Sequence, residues 1–123
     1  MKRVLLVAAA VALAVSCGGA ERERAKAAAL QHGLQELRKA IHDYREDKGQ
    51  PPQTLQDLAR TKYIFVVPKD PMTGKADWRV TVEQPVRADD FQKSEGTPSK
   101  GGIVDVHSNA PGTDPNGRAW SEY

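Results

Sequence analysis

The residue with the clearest chemistry in this sequence is its single cysteine, Cys17. Twelve apolar residues, Val4 to Val15, come before it with Ser16 between, and Gly18 and Gly19 follow it. A thiol is a nucleophile that can be acylated, and small neighbouring residues let a processing enzyme close on the chain. A lone cysteine cannot form a disulfide within the chain. We therefore predict a modification site at the end of an apolar leader.

No other residue pattern is typical of an active site or a metal centre. No serine lies in a G-x-S-x-G motif, and the acidic residues of the first predicted helix alternate with basic ones, as on a solvated face. The three histidines are His32, His42 and His107. Ten residues of helix turn His42 about 80° from His32, so this spacing gives no zinc pattern. We expect a protein without catalytic activity.

The N-terminal segment is typical of an export signal, because Lys2 and Arg3 precede the apolar run. The run suits a signal peptide better than a membrane span, which needs about 20 apolar residues. The segment Leu13–Cys17 (LAVSC) resembles the lipobox of bacterial lipoproteins, in which the cysteine is acylated and becomes the new N-terminus. We expect residues 1–16 to be a signal peptide and residues 17–26 a lipidated N-terminus and stalk. An ordinary leader cut nearby and a retained anchor remain open.

The charge of the mature chain argues against nucleic-acid binding. The sequence has 18 Lys and Arg residues against 16 Asp and Glu residues, but Lys2 and Arg3 belong to the predicted leader. Without them the chain is neutral, whereas phosphate binding needs a surplus of positive charge on one face. The length of 123 residues, with 39% hydrophobic residues, predicts one small globular domain without a large cleft between domains.

Residues 21–48 are predicted to form one long helix. Its apolar residues recur at steps of four and three along one face, at Leu30, Leu34, Leu37, Ile41 and Tyr44. The opposite face is charged and includes Arg38. Gly49 and Pro51-Pro52 give a stop signal after Lys48.

A second, short helix is predicted at Thr54–Arg60, with Thr54 as N-cap and Asp57 three residues later, a variant of the capping box. Tyr63 to Val67 is a β-rich apolar run that Pro68 ends.

Two strands are predicted further along the chain. Trp78 to Val82 alternates as a half-buried strand, and Ile103 to His107 is another strand. A surface loop at 88–102 and a loop at 108–123, anchored by aromatic residues, complete the chain. The predicted fold class is α+β: a long N-terminal α-helix packed on a small antiparallel β-sheet, with a loop-rich C-terminus.

An ordered series of motifs resembles the globular part of type II secretion major pseudopilins. The motifs are Leu37–Ile41 (LRKAI), Tyr44–Gly49 (YREDKG), Pro52, Leu55–Leu58 (LQDL), Pro68–Gly74 (PKDPMTG), Trp78, Gly102–Ser108 (GIVDVHS) and Gly117–Tyr123 (GRAWSEY). The resemblance covers residues 27–123, which we expect to form a pseudopilin-like domain. It implies a long N-terminal helix packed on a small antiparallel sheet.

The N-terminus departs from that family. Pseudopilins keep an apolar helix of about 20 residues, long enough to span a membrane, with a glutamate near its start, and this helix builds the fibre core. Here the apolar run has twelve residues and the first glutamate is Glu21. Lipidation of Cys17 would remove the run altogether. We therefore expect the pseudopilin-like fold without fibre assembly through such a helix.

The resemblance also implies a calcium site in the C-terminal loop. The candidate ligands are Ser108, Asp114 and Asn116, with oxygens also offered by Asn109 and Asp105. Calcium takes six to eight oxygen ligands, often including carbonyls. The alternative is that Asp114 and the residues after it form an ordinary turn, since no EF-hand pattern is present.

Together these patterns predict a non-catalytic lipoprotein of the cell envelope, held in the outer membrane and facing the periplasm. The outer membrane is expected because Gly18 rather than an aspartate follows Cys17. The expected partners are the membrane, through the lipid anchor, and proteins of a secretion or pilus-like system. Two alternatives stay open: a minor pseudopilin retained by its N-terminal helix, and a soluble periplasmic module that binds calcium or another ligand.

Overall fold

The longest element of the structure is one helix, α1 (Lys2–Lys48), which carries one face of the core. The structure, a computed structural model, describes residues 2–85 and 100–123, and their side chains from Gly19 onward. After α1 come α2 (Leu55–Arg60), β1 (Arg79–Glu83), β2 (Gly102–His107) and a short 3₁₀ helix at Trp120–Glu122. The long helix packs on a small antiparallel sheet, which confirms the predicted α+β class.

The apolar stripe of α1 is buried, as predicted. The buried residues of the stripe and its flank are Leu30, Leu34, Leu37, Ala40 and Ile41. Tyr44 packs against this core and is partly buried. By contrast, residues 19–26 are all exposed. Hydrophobic burial therefore stabilises α1 from about Leu30 onward.

The helix α1 ends at Lys48, as predicted, but it starts earlier than predicted. Gly49 follows Lys48 with φ of 72° and donates its N–H to the Arg45 carbonyl at 2.9 Å. Glycine adopts this left-handed conformation without strain, so it ends the helix. The helix begins at Lys2 rather than at residue 21, and so continues through the predicted leader.

Gly33 lies in the middle of α1, against the ring of Trp78. A Cβ atom at position 33 would lie 3.6 Å from the nearest indole carbon, an ordinary van der Waals distance. Trp78 is buried, and its Nε1–H donates to the Pro68 carbonyl at 2.7 Å. The space between the helix and the indole is thus wide enough for an alanine at position 33.

The short helix α2 has the predicted capping box. The Asp57 N–H donates to Thr54 Oγ1 at 3.2 Å, and the Thr54 N–H donates to the Asp57 carboxylate at 2.9 Å. The two bonds satisfy N–H groups at the start of the helix, where no intrahelical carbonyl precedes them. Leu55 and Leu58 are buried against the core.

The chain after α2 forms turns instead of the β structure that the apolar run at 63–67 indicated. Lys62 donates its N–H to the Ala59 carbonyl at 3.1 Å, and Tyr63 donates to the Leu58 carbonyl at 2.9 Å. These two bonds form a Schellman motif, the common end of an α-helix. The motif turns the chain away from α2, so the start of the apolar run caps this helix instead of pairing as a strand.

The sheet consists, among the described residues, of two antiparallel strands. The aligned pairs are Arg79–His107, Val80–Val106, Thr81–Asp105, Val82–Ile103 and Glu83–Gly102, with a bulge after Thr81. The buried strand is β2, which contributes Ile103 and Val106 to the core. Val80 and Val82 of β1 are 37% and 54% exposed, so β1 is less buried than predicted.

The start of β2 lies close to the prolines that follow α1. Ile103 donates its N–H to the Pro52 carbonyl at 2.7 Å. Gly102 has φ of 143°, and a Cβ atom there would lie only 2.6 Å from the same carbonyl oxygen. Only glycine fits this close approach. The loop predicted at 88–102 lies outside the described residues except for positions 100–102.

Candidate functional site

Arg38 of α1 connects the helix to β2 and to residue 123. Its Nε donates to Asp105 Oδ1 at 2.9 Å, and its Nη2 donates to the Val106 carbonyl at 2.8 Å and to the Tyr123 backbone oxygen at 3.1 Å. The prediction of a fully solvated charged face is therefore wrong at this position. Arg38 lies at the edge of the buried stripe, where its planar guanidinium can serve several acceptors at once.

Asp105 lies between Arg38 and His107. Partial burial raises the pKa of Asp105, but hydrogen bonds from the Val106 N–H and from Arg38 outweigh it, so the pKa of this carboxyl is lowered overall. Its Oδ2 lies 3.3 Å from His107 Nε2. The carboxylate is thus held in its charged form by donors from both α1 and β2.

His107 contacts oxygen atoms with both ring nitrogens. Nδ1 lies 2.9 Å from the Tyr123 backbone oxygen, and Nε2 faces Asp105. These contacts place His107, at the end of β2, against the backbone of Tyr123. Its environment is that of a structural link at a strand end.

Asp114 is buried and pairs with Tyr123. Its Oδ2 accepts the Tyr123 hydroxyl at 2.7 Å, and its Oδ1 accepts the N–H groups of Asn116 at 2.8 Å and Arg118 at 2.9 Å. The tyrosine hydrogen bond is the main cause of a lowered pKa for the Asp114 carboxyl. The same bond raises the pKa of the Tyr123 hydroxyl.

Ser108 is fully buried and bonds to a second buried acid. Its hydroxyl donates to Asp70 Oδ2 at 2.6 Å and accepts the Ala110 N–H at 3.2 Å. Asp70 Oδ1 accepts the Met72 N–H at 2.8 Å, so Asp70 caps a turn through its side chain. The pair joins the turn after Pro68 to the segment that follows β2.

The predicted calcium ligands have separate partners in the structure. Ser108 bonds to Asp70, whereas Asp114 bonds to Tyr123 and to two backbone N–H groups. Asn116 contributes a backbone N–H to this turn rather than a side-chain oxygen, and Asn109 is exposed. Among the described residues, no group of three or more His, Cys, Asp or Glu residues could hold a metal ion. Calcium binding stays a prediction.

The other predicted residues lie apart from this network. His32 and His42 are exposed on α1. The Cys17 backbone belongs to α1, and its side chain is outside the described residues. Within the portion of the chain that the structure describes, no helix is long and apolar enough to span a membrane.

The sequence offered one signal for the Arg38 contacts that was missed. Asp105 is the only acidic residue in the apolar strand Gly102–His107. An acid in such a strand requires a partner, because burying an unpaired charge is costly. An arginine next to the apolar stripe of α1 would have been the natural candidate.

Comparison with protein-family models, with curated proteins and with solved structures finds no match to this chain. The resemblance to type II secretion pseudopilins therefore stays a prediction that depends on the motifs quoted above.

Proposed function

We propose that this chain is a non-catalytic lipoprotein of the cell envelope, held in the outer membrane through Cys17 and facing the periplasm. Its pseudopilin-like domain, residues 27–123, serves as a structural or protein-interaction component of a secretion or pilus-like system.

The observation that carries this proposal is the exposed start of α1. Residues 19–26 are helical and exposed, and from Gly19 onward, where side chains are described, Leu30 is the first buried residue. At about 1.5 Å per residue, the helix places Leu30 about 20 Å from Cys17. Such a spacer suits a domain that is tethered at one end and meets other proteins at a distance from the membrane.

The polar contacts of Arg38 and of the C-terminal region support a structural role. Arg38, Asp105, Asp114 and Ser108 direct their polar atoms at other groups of the same chain. Catalytic groups need a reacting atom within hydrogen-bond reach. Here the carboxylates and the hydroxyl are used to fasten segments of the fold together.

A second candidate, a minor pseudopilin retained by its N-terminal helix, is favoured by the continuity of α1. The helix runs from Lys2 to Lys48 without interruption, as a retained anchor would. This candidate predicts that residues 1–16 remain attached in the mature protein.

Mass spectrometry of the protein purified from its native membrane distinguishes the candidates. The proposal predicts a mature chain that begins at Cys17 and carries acyl groups, and a Cys17→Ala chain that keeps its leader. A mature chain that starts at Met1 contradicts lipidation and supports the retained anchor. An unmodified N-terminus released into the periplasm supports the soluble module.

The role in a secretion or pilus-like system needs a separate test in the native host. Deleting the chain should lower export through that system, and the wild-type chain, but not Cys17→Ala, should restore it. Unchanged export by the deletion strain contradicts this part of the proposal.

A further inference from the structure

The turn after α2 presents an exposed aromatic side chain. Phe65 is 100% exposed, and the neighbouring Val66 is 62% exposed. Burial of a phenylalanine and a valine is normally favourable, and two adjacent exposed apolar side chains form a protrusion. Contiguous exposed apolar surface, unlike single scattered apolar side chains, marks contacts with other molecules.

The base of this protrusion is firmly held. Ile64 is buried, and its N–H donates to the Leu58 carbonyl at 3.3 Å. The Tyr63 hydroxyl donates to Asp47 at 2.7 Å, and its ring contacts Tyr44 edge to face, with 5.4 Å between centroids. Phe65 therefore projects from an ordered base, which lowers the entropic cost of binding.

A pocket of about 610 Å³ lies beside the protruding ring. The residues that line it are Glu36, Ala59, Lys62, Tyr63, Ile64 and Phe65. Its walls are mainly apolar, and it carries one acidic and one basic residue. The same surface thus offers both an aromatic knob and a pocket of a size that can receive one.

Lys62, the basic residue of the pocket, has a strained backbone conformation. Lys62 has φ of 67°, the only positive φ of a residue other than glycine in the described part of the chain. Glycine is the usual residue at this position of a Schellman motif, because a side chain is strained there. A lysine at this point brings a positive charge to the pocket that glycine would not.

We propose that this surface, defined by Phe65 and the pocket, binds a second copy of the same chain. In a two-fold pair, each copy presents the same patch to the other. Phe65 of each copy then enters the pocket of the other, and Lys62 of each copy faces Glu36 of the other. The opposite charges of Lys62 and Glu36 make the patch complementary to itself.

The expected pair is weak in dilute solution. A phenylalanine buries about 150–250 Å², so the two rings by themselves supply less than half of the roughly 1,200 Å² at the lower end of stable complexes. The contact surface does not depend on Cys17. Lipid anchoring, under the proposed function, adds effective concentration by holding copies in one membrane.

Photo-cross-linking of the full chain tests this contact directly. A photoreactive p-benzoylphenylalanine replaces Phe65, which keeps an aromatic ring at the position. Irradiation should give a covalent dimer, with cross-links that map to residues 59–64 of the second copy. The matched control carries the same group at Val82, which is 54% exposed on β1 and outside the pocket, and should give no dimer.

Charge reversal tests the predicted orientation. Glu36→Lys and Lys62→Glu should each lower the dimer yield about fivefold, because like charges then meet across the pair. Mixing the two variants should restore the yield, since each copy then supplies the charge that the other lacks. Equal yields in all samples would overturn the Lys62–Glu36 pairing.

The outcome at Phe65 decides the proposal. Cross-links only to lipid or to another protein, with none to a second copy, would overturn it. The Cys17→Ala chain, concentrated in detergent, should still give the dimer. The failure of lipidation and the failure of pairing can therefore be told apart.

Discussion

The Tyr63 hydroxyl donates a 2.7 Å hydrogen bond to the Asp47 carboxylate and so joins the turn after α2 to the end of α1. The two residues are 16 positions apart in the sequence. Tyr44 on the same helix contacts the Tyr63 ring edge to face. The contact fixes the position of the turn that carries Phe65.

This contact predicts an alkaline step in stability. The hydrogen bond to Asp47 is the main cause that raises the pKa of Tyr63 to about 12, above the ordinary value of about 10. The contribution of Tyr63 is therefore complete below pH 10 and is lost as the pH rises from 10 to about 12. A phenolate absorbance titration should show a late tyrosine step, and Tyr63→Phe should reduce it by one phenol.

The Tyr123 hydroxyl also has a raised pKa, but it bonds to Asp114. Tyr123→Phe is therefore the matched control for this titration and should keep the late step of Tyr63. If the Tyr63→Phe and wild-type titrations keep the same late step, the Tyr63–Asp47 bond is absent in solution.

Gly33 provides a prediction about helix stability. An alanine Cβ there would meet Trp78 at an ordinary distance of 3.6 Å. Gly33→Ala should therefore raise the free energy of unfolding by about 0.5–1 kcal/mol, since alanine favours the helix. Urea denaturation followed by circular dichroism measures the change.

Gly102→Ala should do the opposite. An alanine Cβ would lie 2.6 Å from the Pro52 carbonyl oxygen at a positive φ, so the free energy of unfolding should fall by about 1–3 kcal/mol.

A loss of stability in Gly33→Ala would mean that Trp78 packs more tightly against α1 than the structure shows.

The features that were predicted correctly depend on local sequence. The stripe from Leu30 to Ile41 has helical spacing, and the capping box at Thr54 spans only four residues. The contacts of Arg38 could not be predicted in this way, because its partner Asp105 lies 67 positions away. The composition of the run at 63–67 favours strands, but the Schellman motif uses its first N–H groups. Tertiary context overrode β propensity there.

Asp114 predicts a loss of stability in acid. The Tyr123 hydrogen bond is the main cause of its lowered pKa, so the charged form is favoured in the folded chain. Its contribution is present above the ordinary aspartate pKa of about 4 and is lost as the pH falls through the lowered value. Asp114→Asn should be less stable than wild type at pH 7, and the difference should shrink below pH 4. A constant difference from pH 7 to pH 2 would contradict this linkage.

The calcium hypothesis gives a separate prediction for the same carboxylate. Calcium that binds the folded chain should raise the Tm of chelator-treated protein, by an amount that grows with calcium concentration. Asp114→Asn should remove the rise in Tm. Asp43→Asn changes an aspartate of α1 that is not a candidate calcium ligand, and it should keep the rise. The same Tm with and without calcium in the wild-type chain would exclude a calcium site.

Arg38 provides the last prediction, since it holds α1, β2 and Tyr123 together. Arg38→Met removes three hydrogen bonds while keeping an apolar stem. Hydrogen bonds to charged groups typically contribute about 1.5–3 kcal/mol, and Arg38 is partly solvated, so we expect a loss of about 1–3 kcal/mol in the free energy of unfolding. Trypsin should also cut faster at the exposed Arg118, because residue 123 is no longer held by Arg38. Arg22→Met, in the exposed start of α1, is the matched control and should change neither quantity. If Arg38→Met leaves both unchanged, the link between α1 and the end of the described chain contributes nothing to stability.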